Sequence, residues 1–400
     1  MKVALIHNFL YPESGATELV LNAASQLKKR GHKVHVFILN APNEVLSEFR
    51  RIGVKVDSKG FREWRTNDKR FFSFADPLML FLNKLRVLPK LFTVSLAVNK
   101  DFDLAFTSHY HLTTLTHLFL KVPVVYYCHE PPRFYYEDFN EGGSLREKIF
   151  FPKYLINWLY KSFDRKLDKI LARKSDVIIV NSDYSKNVVK KVYGRDSKRI
   201  YSGVDTEIFK RLDVEREIIL SVGRLYHDLK GHRFVIKSLG RLRSDKPPLV
   251  ILGGGSEVER NDLVKLAAEN NVRLDIKECV SRKELIDYYN RAMVCVFGYV
   301  REPFGLTVVE AMACETPVVA VSEGGLCESI TGDVGFLVER DEKEFAGKLK
   351  YILDNPAIAV KMGAAGRKRV KQFFTWDLFG EKLANVLSSV LNSESSSALP

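Results

Sequence analysis

Four stretches of this sequence combine charged side chains with glycine or proline, a pairing that lets a backbone bring donors close to a bound anion. Tyr11-Pro-Glu-Ser-Gly-Ala-Thr-Glu18 is a turn-forming loop that runs into a helical pattern. Gly15 and Ala16 therefore fall where backbone N–H groups and a positive helix end can meet an anion, though one glycine also fits a plain strand-to-helix turn. Cys128-His-Glu-Pro-Pro-Arg133 directly follows an apolar run. Its two prolines predict an extended chain that does not enter a helix, so that His129 projects from a strand end, as an acid–base group or as a satisfied structural histidine. Gly223-Arg-Leu-Tyr-His-Asp-Leu-Lys230-Gly231 offers the planar fork of Arg224 and the point charge of Lys230, which together suit a diphosphate; the plain alternative leaves both solvated on a loop.

The fourth stretch, Arg301-Glu-Pro-Phe-Gly-Leu-Thr-Val-Val-Glu310, places Glu302 ahead of Pro303 and predicts a helix from about Phe304–Gly305. Eight helical residues span about 12 Å and leave the two carboxylates roughly 80° apart in azimuth. That spacing does not suit a carboxyl pair held ~5–5.5 Å apart, as in retaining glycoside hydrolysis. It suits a grip on two parts of one elongated ligand.

Strands alternate with helices throughout. The first half reads as strands at 2–7, 33–39, 104–107, 122–128 and 177–181, with a helix at 18–30 that stops before Gly31. After residue 210 the rhythm restarts, with strands at 218–222, 248–252, 272–276, 293–297, 317–321 and 335–338. Continuous Val/Ile runs between helices imply parallel sheets covered on both faces, hence two doubly wound, Rossmann-like α/β domains. In such sheets ligands bind outside the carboxyl ends of the strands, which is where all four stretches fall. The expected domains are 1–205, 206–378 and a C-terminal segment 379–400 whose Ser-rich end, from Ser393, should fray.

The chain has 400 residues, too many for one core, and no apolar run long enough to cross a bilayer. Its start reads as a strand and not as a signal peptide. Five scattered cysteines without a CxxC argue against a disulfide framework or a thiolate zinc site and for a reducing cytosol. The net charge of +13 lies wholly in the first half: residues 1–205 hold 34 Lys+Arg against 21 Asp+Glu, and residues 206–400 hold 28 of each. An acidic partner met by the first half alone is implied. Phe61–Phe74, Lys84–Lys100 and Arg146–Lys174 interleave aromatics with cations, as a protein resting on an anionic membrane surface would; inward-packed aromatics with solvated charges are the alternative. No nucleic-acid motif is present, and nucleic acid is not expected as a partner.

The fourth stretch, together with Thr316-Pro-Val-Val-Ala320 and Glu323-Gly-Gly-Leu-Cys-Glu328, closely resembles the retaining glycosyltransferases of family four, which have the GT-B fold. The resemblance covers nearly the whole chain. It takes in the Gly15 loop, Asn181-Ser-Asp-Tyr184, Ser202-Gly-Val-Asp205, Gly253-Gly-Gly255 and Phe374-Thr-Trp376. The first half is most similar to α-mannosyltransferases that extend dolichol-linked oligosaccharides, through Tyr127-Cys-His-x-Pro131 and Ile178-Ile-Val-Asn-Ser182.

This resemblance implies two domains facing across a cleft, with a sugar donor linked to GDP or UDP and a glycan or lipid-linked acceptor. It implies that Glu310 accepts from the ribose hydroxyls, that Arg224 and Lys230 neutralise the diphosphate, and that Glu302 with the N–H groups of Phe304, Gly305, Leu306 and Thr307 holds the transferred sugar and phosphate. Gly15, Ala16, Gly253 and Gly255 would lie close to the donor, His129 would face the sugar, and the last helix would cross back to the first domain. No cofactor and no metal are expected. Asp101-Phe-Asp103 spells a metal-binding DxD, but it precedes a strand, at the wrong end for the site.

Three residues depart from the family pattern: Ser14 and Glu315 where glycines are usual, and Ser202 where Asn is common. Glu315 adds a negative charge near the donor side. The reading is a cytoplasmic, peripherally membrane-bound hexosyltransferase, with mannose from GDP-mannose as the specific expectation. A sugar-nucleotide epimerase of the same fold and a non-catalytic sugar-nucleotide binder stay open as alternatives. A dinucleotide-dependent dehydrogenase fits less well, since the first strand–turn–helix lacks GxGxxG.

Overall fold

The computed structural model describes residues 1–12, 14–58, 77–108, 112–136, 151–242 and 246–397. The chain divides into two compact units: Met1–Asn181 with Ser185–Ile200 and Gly380–Pro400, and Ser182–Tyr184 with Tyr201–Phe379.

In the first unit the chain runs β1 (Lys2–Phe9), α1 (Gly15–Lys29), β2 (Lys33–Asn40), α2 (Asn43–Arg51), β3 (Lys55–Asp57), α3 (Pro77–Asp101), β4 (Leu104–Ser108), β5 (Val124–Tyr127), α4 (Arg133–Tyr136), α5 (Phe151–Arg173), β6 (Val177–Val180), α6 (Asp183–Tyr193) and β7 (Lys198–Arg199). The seven strands pair in the order β3-β2-β1-β4-β5-β6-β7, every pair parallel. Buried Val3–Ile6, Leu104–Phe106 and Val124–Tyr127 form the sheet's middle, as Val/Ile-rich runs covered on both faces must.

The second unit holds β8 (Ile218–Val222), α7 (His232–Gly240), β9 (Leu249–Leu252), α8 (Glu257–Glu269), β10 (Leu274–Lys277), α9 (Arg282–Arg291), β11 (Ala292–Phe297), α10 (Leu306–Ala313), β12 (Val318–Val321), α11 (Leu326–Ser329), β13 (Gly335–Val338), α12 (Glu342–Asp354) and α13 (Pro356–Phe373). Its six parallel strands follow the order β10-β9-β8-β11-β12-β13. Both sheets reverse direction beside their first strand, and the crevice at such a switch point is where doubly wound folds take ligands. The final helix, α14 (Trp376–Ser397), begins in the second unit, and from Gly380 onward it belongs to the first.

The strands predicted from the sequence are all present. Two short edge strands, β3 and β7, were not expected, because three and two residues carry too little periodicity to register. One expectation is corrected. Pro131-Pro132 does not keep the chain extended: α4 begins at the next residue, and the Pro132 carbonyl accepts from the Tyr135 N–H at 2.9 Å, since proline is tolerated ahead of a first helical turn. At the Ser-rich end α14 runs to Ser397, and the Ser393 hydroxyl bonds back to the Val390 carbonyl at 2.8 Å. Residues 61–74 and 137–150, which include part of the basic-aromatic pattern, lie outside the described residues.

Gly231 ties the second unit's two central loops together. Its φ is +62°, and a Cβ there would stand 1.8 Å from the Gly298 carbonyl oxygen. Gly231→Ala should therefore lower stability by about 2 kcal/mol or more, whereas Gly347→Ala, in open space on α12, should stabilise by roughly 0.5–1 kcal/mol. Thermal unfolding of the two variants beside the parent checks this; equal midpoints for both would refute the close-approach argument.

Candidate active site

The switch point of the second sheet lies between β8 and β11, and the loops leaving those strands carry Arg224 and Lys230 on one side and Glu302 on the other. The β8 loop is fixed from below by His232. Burial pushes its imidazole down to about 4, so the ring is neutral at pH 7. Its Nε2 lies 3.0 Å from the Gly223 carbonyl and its Nδ1 3.2 Å from the Ser221 hydroxyl. The tautomer that donates from Nε2 to that carbonyl accepts at Nδ1 from the hydroxyl. Gly253 and Gly255 do a packing job: added Cβ atoms would stand 1.9 Å from the Gly223 oxygen and 2.6 Å from Leu225 Cβ.

Lys230 and Glu302 meet. Their Nζ and Oε2 are 2.6 Å apart, both side chains about a quarter exposed, and the ammonium lies 4.3 Å from the centroid of the Tyr299 ring. The sequence reading assigned these two charges separate tasks; the structure makes them one unit that a ligand must share or part. Arg224 is exposed. Among the described residues its guanidinium makes no ion pair, leaving it open to an anion.

Glu302 leads through Phe304, which is buried, to α10. Gly305 is the N-cap, with φ +86°, no side-chain capping bond and no acidic residue in the first turn. The N–H groups of Leu306 and Thr307 are first-turn positions without a carbonyl inside the helix to receive them, and they carry the positive end of the helix dipole. The Thr307 hydroxyl is 2.7 Å from the Tyr299 hydroxyl. One turn on, Glu310 accepts from the Tyr289 hydroxyl at 2.8 Å. Burial raises the Glu310 carboxyl above its ordinary value, opposed by the Tyr289 bond and by Arg282. A group with a raised folded pKa stabilises at low pH and loses that contribution as pH rises through the folded value.

Glu315, expected to load the donor side with negative charge, has its Oε1 3.7 Å from Arg367 Nε. Its φ of +59° explains why a glycine is usual there. Two further motifs are structural. A Cβ on Gly203 would stand 2.2 Å from the Trp376 backbone nitrogen, and Val204 bridges Thr375, so Ser202–Asp205 and Phe374–Trp376 pack on each other.

The remaining predicted residues belong to the first unit. Gly15 and Ala16 open α1, where the Ser14 hydroxyl accepts from the Thr17 N–H at 3.2 Å. Ser14 is thus a helix cap, a role the glycine it replaces could not fill with a side chain. Glu13 lies outside the described residues. His129 lies two residues beyond the end of β5, half-buried, with Nε2 3.3 Å from the Ser108 hydroxyl and its ring 5.0 Å from that of Tyr127. Asp103 stands just ahead of β4, where its Oδ2 accepts from the Lys2 N–H at 2.6 Å.

Sequence reasoning missed Tyr289, Tyr299 and His232, which hold the charged residues from behind. Tyr289 lies inside α9 with no motif around it, while His232 and Tyr299 flank two of the charged stretches without carrying charge or glycine themselves. It also missed the buried pair Asp164 and Asp168 on α5. These receive the hydroxyls of Tyr135 at 2.5 Å, and of Tyr136 and Tyr193 at 2.8 and 2.9 Å. Burial pushes Asp168 up to about 6 despite those bonds.

Comparison with known proteins fits this geometry. The family described as Glycosyltransferase Family 4 matches residues 14–208, and Glycosyl transferases group 1 matches residues 205–369. The chain belongs to family four of the glycosyltransferases. The α-1,3/1,6-mannosyltransferase of Mus musculus is 25% identical across 96% of both chains. The D-inositol 3-phosphate glycosyltransferase of Kineococcus radiotolerans is 31% identical over 53% of this chain and 57% of its own. The glycosyltransferase shares its fold with Anabaena HepE, solved with UDP and glucose, at TM-score 0.74 and 17% identity over 97% of this chain and all of that one. Sucrose-phosphate synthase of Thermosynechococcus elongatus matches at TM-score 0.73 and 20% identity over 98% and 99% of the two chains. The GT-B architecture expected from the motifs is therefore present.

Tyr289→Phe removes the group that favours ionised Glu310, so Glu310 should take up its charge at a higher pH than in the parent. Carbon-13 titration of the glutamate carboxyls reads this directly, and an unmoved Glu310 curve would mean that the hydroxyl contributes nothing to the charge.

Proposed function

We propose that this glycosyltransferase moves a hexose, mannose from GDP-mannose in the specific reading, onto a lipid-linked or polymeric glycan acceptor with retention of configuration. The observation that carries the proposal is the convergence at one switch point of Arg224, the Lys230–Glu302 pair and the uncapped start of α10. As a sugar–phosphate bond breaks, negative charge grows on the leaving diphosphate, and fixed cations and N–H groups aimed there lower the barrier. Lys230 and Arg224 would meet that charge with the N–H groups of Leu306 and Thr307. Glu302 would hold the sugar and Glu310 the ribose. With the positive potential supplied by the chain itself, transfer is read as metal-independent. Retention without a carboxylate nucleophile implies attack on the face from which the diphosphate leaves. The mannosyltransferase relatives support the choice of sugar, and UDP-glucose bound to HepE supports a nucleotide sugar.

The acceptor would be met at the cytoplasmic face of a membrane. Among the described residues no helix is long and apolar enough to cross one. Instead α5 leaves Leu159, Phe163 and Ile170 more than half exposed, and α3 leaves Leu85, Phe92 and Leu96 similarly bare. Within each helix these residues recur at helical spacing on one face. Exposed Arg86, Lys161, Arg165 and Lys166 stand among them, a composition suited to an anionic leaflet.

Calorimetric titration with GDP, UDP, ADP, NAD, GDP-mannose and UDP-glucose, with and without Mg²⁺, tests the donor site. Saturable binding of one nucleoside diphosphate without divalent ion is expected; binding of NAD alone, or of none, would overturn the reading. Glu310→Ala should weaken nucleotide binding about tenfold or more, as loss of a charged hydrogen-bond partner does. His129→Ala should depress turnover about 100-fold with nucleotide affinity nearly unchanged, and full activity would return it to a structural role. The chain should co-sediment with vesicles containing phosphatidylserine and not with pure phosphatidylcholine. Replacing Leu159, Phe163 and Ile170 by Ser should release it; retention by the triple variant would exclude α5 as the contact.

A further inference from the structure

We propose that Arg340 is a positioning residue for sugar transfer, holding the Gly298–Glu302 segment so that Lys230 and Glu302 meet the donor as one unit. The inference rests on the donor-site reading above and adds to it a residue that does not itself belong to the ligand-facing loops.

Arg340 lies two residues beyond the end of β13. Its guanidinium is used on three sides. Nη1 donates to the Gly298 carbonyl at 3.0 Å, Nη2 to the Tyr299 carbonyl at 2.7 Å, and Nε to Glu323 Oε1 at 2.7 Å. The other Glu323 oxygen accepts from the Arg301 N–H at 3.2 Å. One Arg–Glu pair thus fastens three consecutive linkages of the same segment, two by their carbonyls and one by its N–H. Burial pushes the Glu323 carboxyl up, but the Arg340 bond and charge, with Arg301, outweigh it and hold the group below its ordinary value.

The segment needs fastening. Arg301 has φ +48°, a conformation that side-chain-bearing residues rarely adopt. Glu302 is pressed onto the neighbouring turn, where the Gly325 N–H donates to its carbonyl at 2.7 Å and a Cβ on Gly324 would stand 2.2 Å from that oxygen. What the fastened segment presents is the Tyr299 ring under Lys230, the Tyr299 hydroxyl at Thr307 and the Glu302 carboxylate on Lys230. Every one of those groups moves if residues 298–301 shift, and a misplacement of about 1 Å costs on the order of 100-fold in rate. A lysine at 340 would keep the charge but lose the fork that reaches two carbonyls and a carboxylate together.

The test uses the full chain. Turnover of whichever of GDP-mannose and UDP-glucose the parent consumes is measured for Arg340→Met and Arg340→Lys, alongside calorimetric affinity for GDP and UDP. Arg340→Met should lower kcat about 100-fold while nucleotide affinity stays within about threefold, because Glu310 lies outside the fastened segment; Arg340→Lys should recover part of the loss. A kcat within about twofold of the parent, with only the melting temperature lowered, would show a structural ion pair and overturn the proposal. If Arg340→Met does not fold, Glu323→Gln decides. It leaves the two carbonyl bonds in place and should cost about tenfold in kcat at unchanged nucleotide affinity, and an unchanged kcat would again overturn it. A parent that binds neither GDP nor UDP and consumes neither sugar nucleotide would instead remove the donor-site reading, and the inference with it.

Discussion

The reversal of strand order between β8 and β11 is the constraint on which the second unit's chemistry depends. Parallel strands joined by helices send one crossover to each face of the sheet, so the loops leaving two adjacent strands at the reversal part and leave a crevice between them. Gly231 and Gly298 let those loops touch at backbone distance. That contact sets Lys230 beside Glu302, and an ion pair only partly exposed follows. A cation and an anion so close can each be turned toward a polar ligand carrying both charge and hydroxyl groups. Neither could be brought there by its own loop alone.

The first unit obeys the same sheet logic with a different interior. Its α5 helix buries two aspartates and offers them to three tyrosine hydroxyls and to Lys84, whose Nζ is 2.5 Å from Asp164. Two of those tyrosines belong to α4, the short turn that follows His129 and the paired prolines. Removing charge from water costs free energy unless hydrogen bonds replace the lost hydration. The cluster therefore favours the one placement of α4 that satisfies both aspartates. Across α3 and α5 the outward surface is the reverse: apolar side chains in water, with cations among them.

Much of this was legible without coordinates. Alternating Val/Ile runs and helical patterns gave the two doubly wound domains, because burial on both faces of a parallel sheet writes itself into consecutive residues. Glycine and proline marked the loops at the strand ends where Arg224, Lys230 and Glu302 fall, and the resemblance to family four supplied the roles expected of them and of Glu310. One signal misled. The proline pair was read as a barrier to helix, though Pro before a first turn is no obstacle.

What the sequence by itself determined was the alternation of the longer strands and helices and the charged loops at the strand ends to which the proposed site is assigned, since each is encoded by neighbours along the chain. What only the tertiary structure decided was the pairing of those residues and their supports. Lys230 is matched to Glu302 across 72 positions, Tyr289 to Glu310 across 21, and Arg340 to Gly298 and Tyr299 across 42 and 41. Such partners are set by strand order and helix packing, and strand order depends on which buried faces fit together in three dimensions, for which local spacing holds no record.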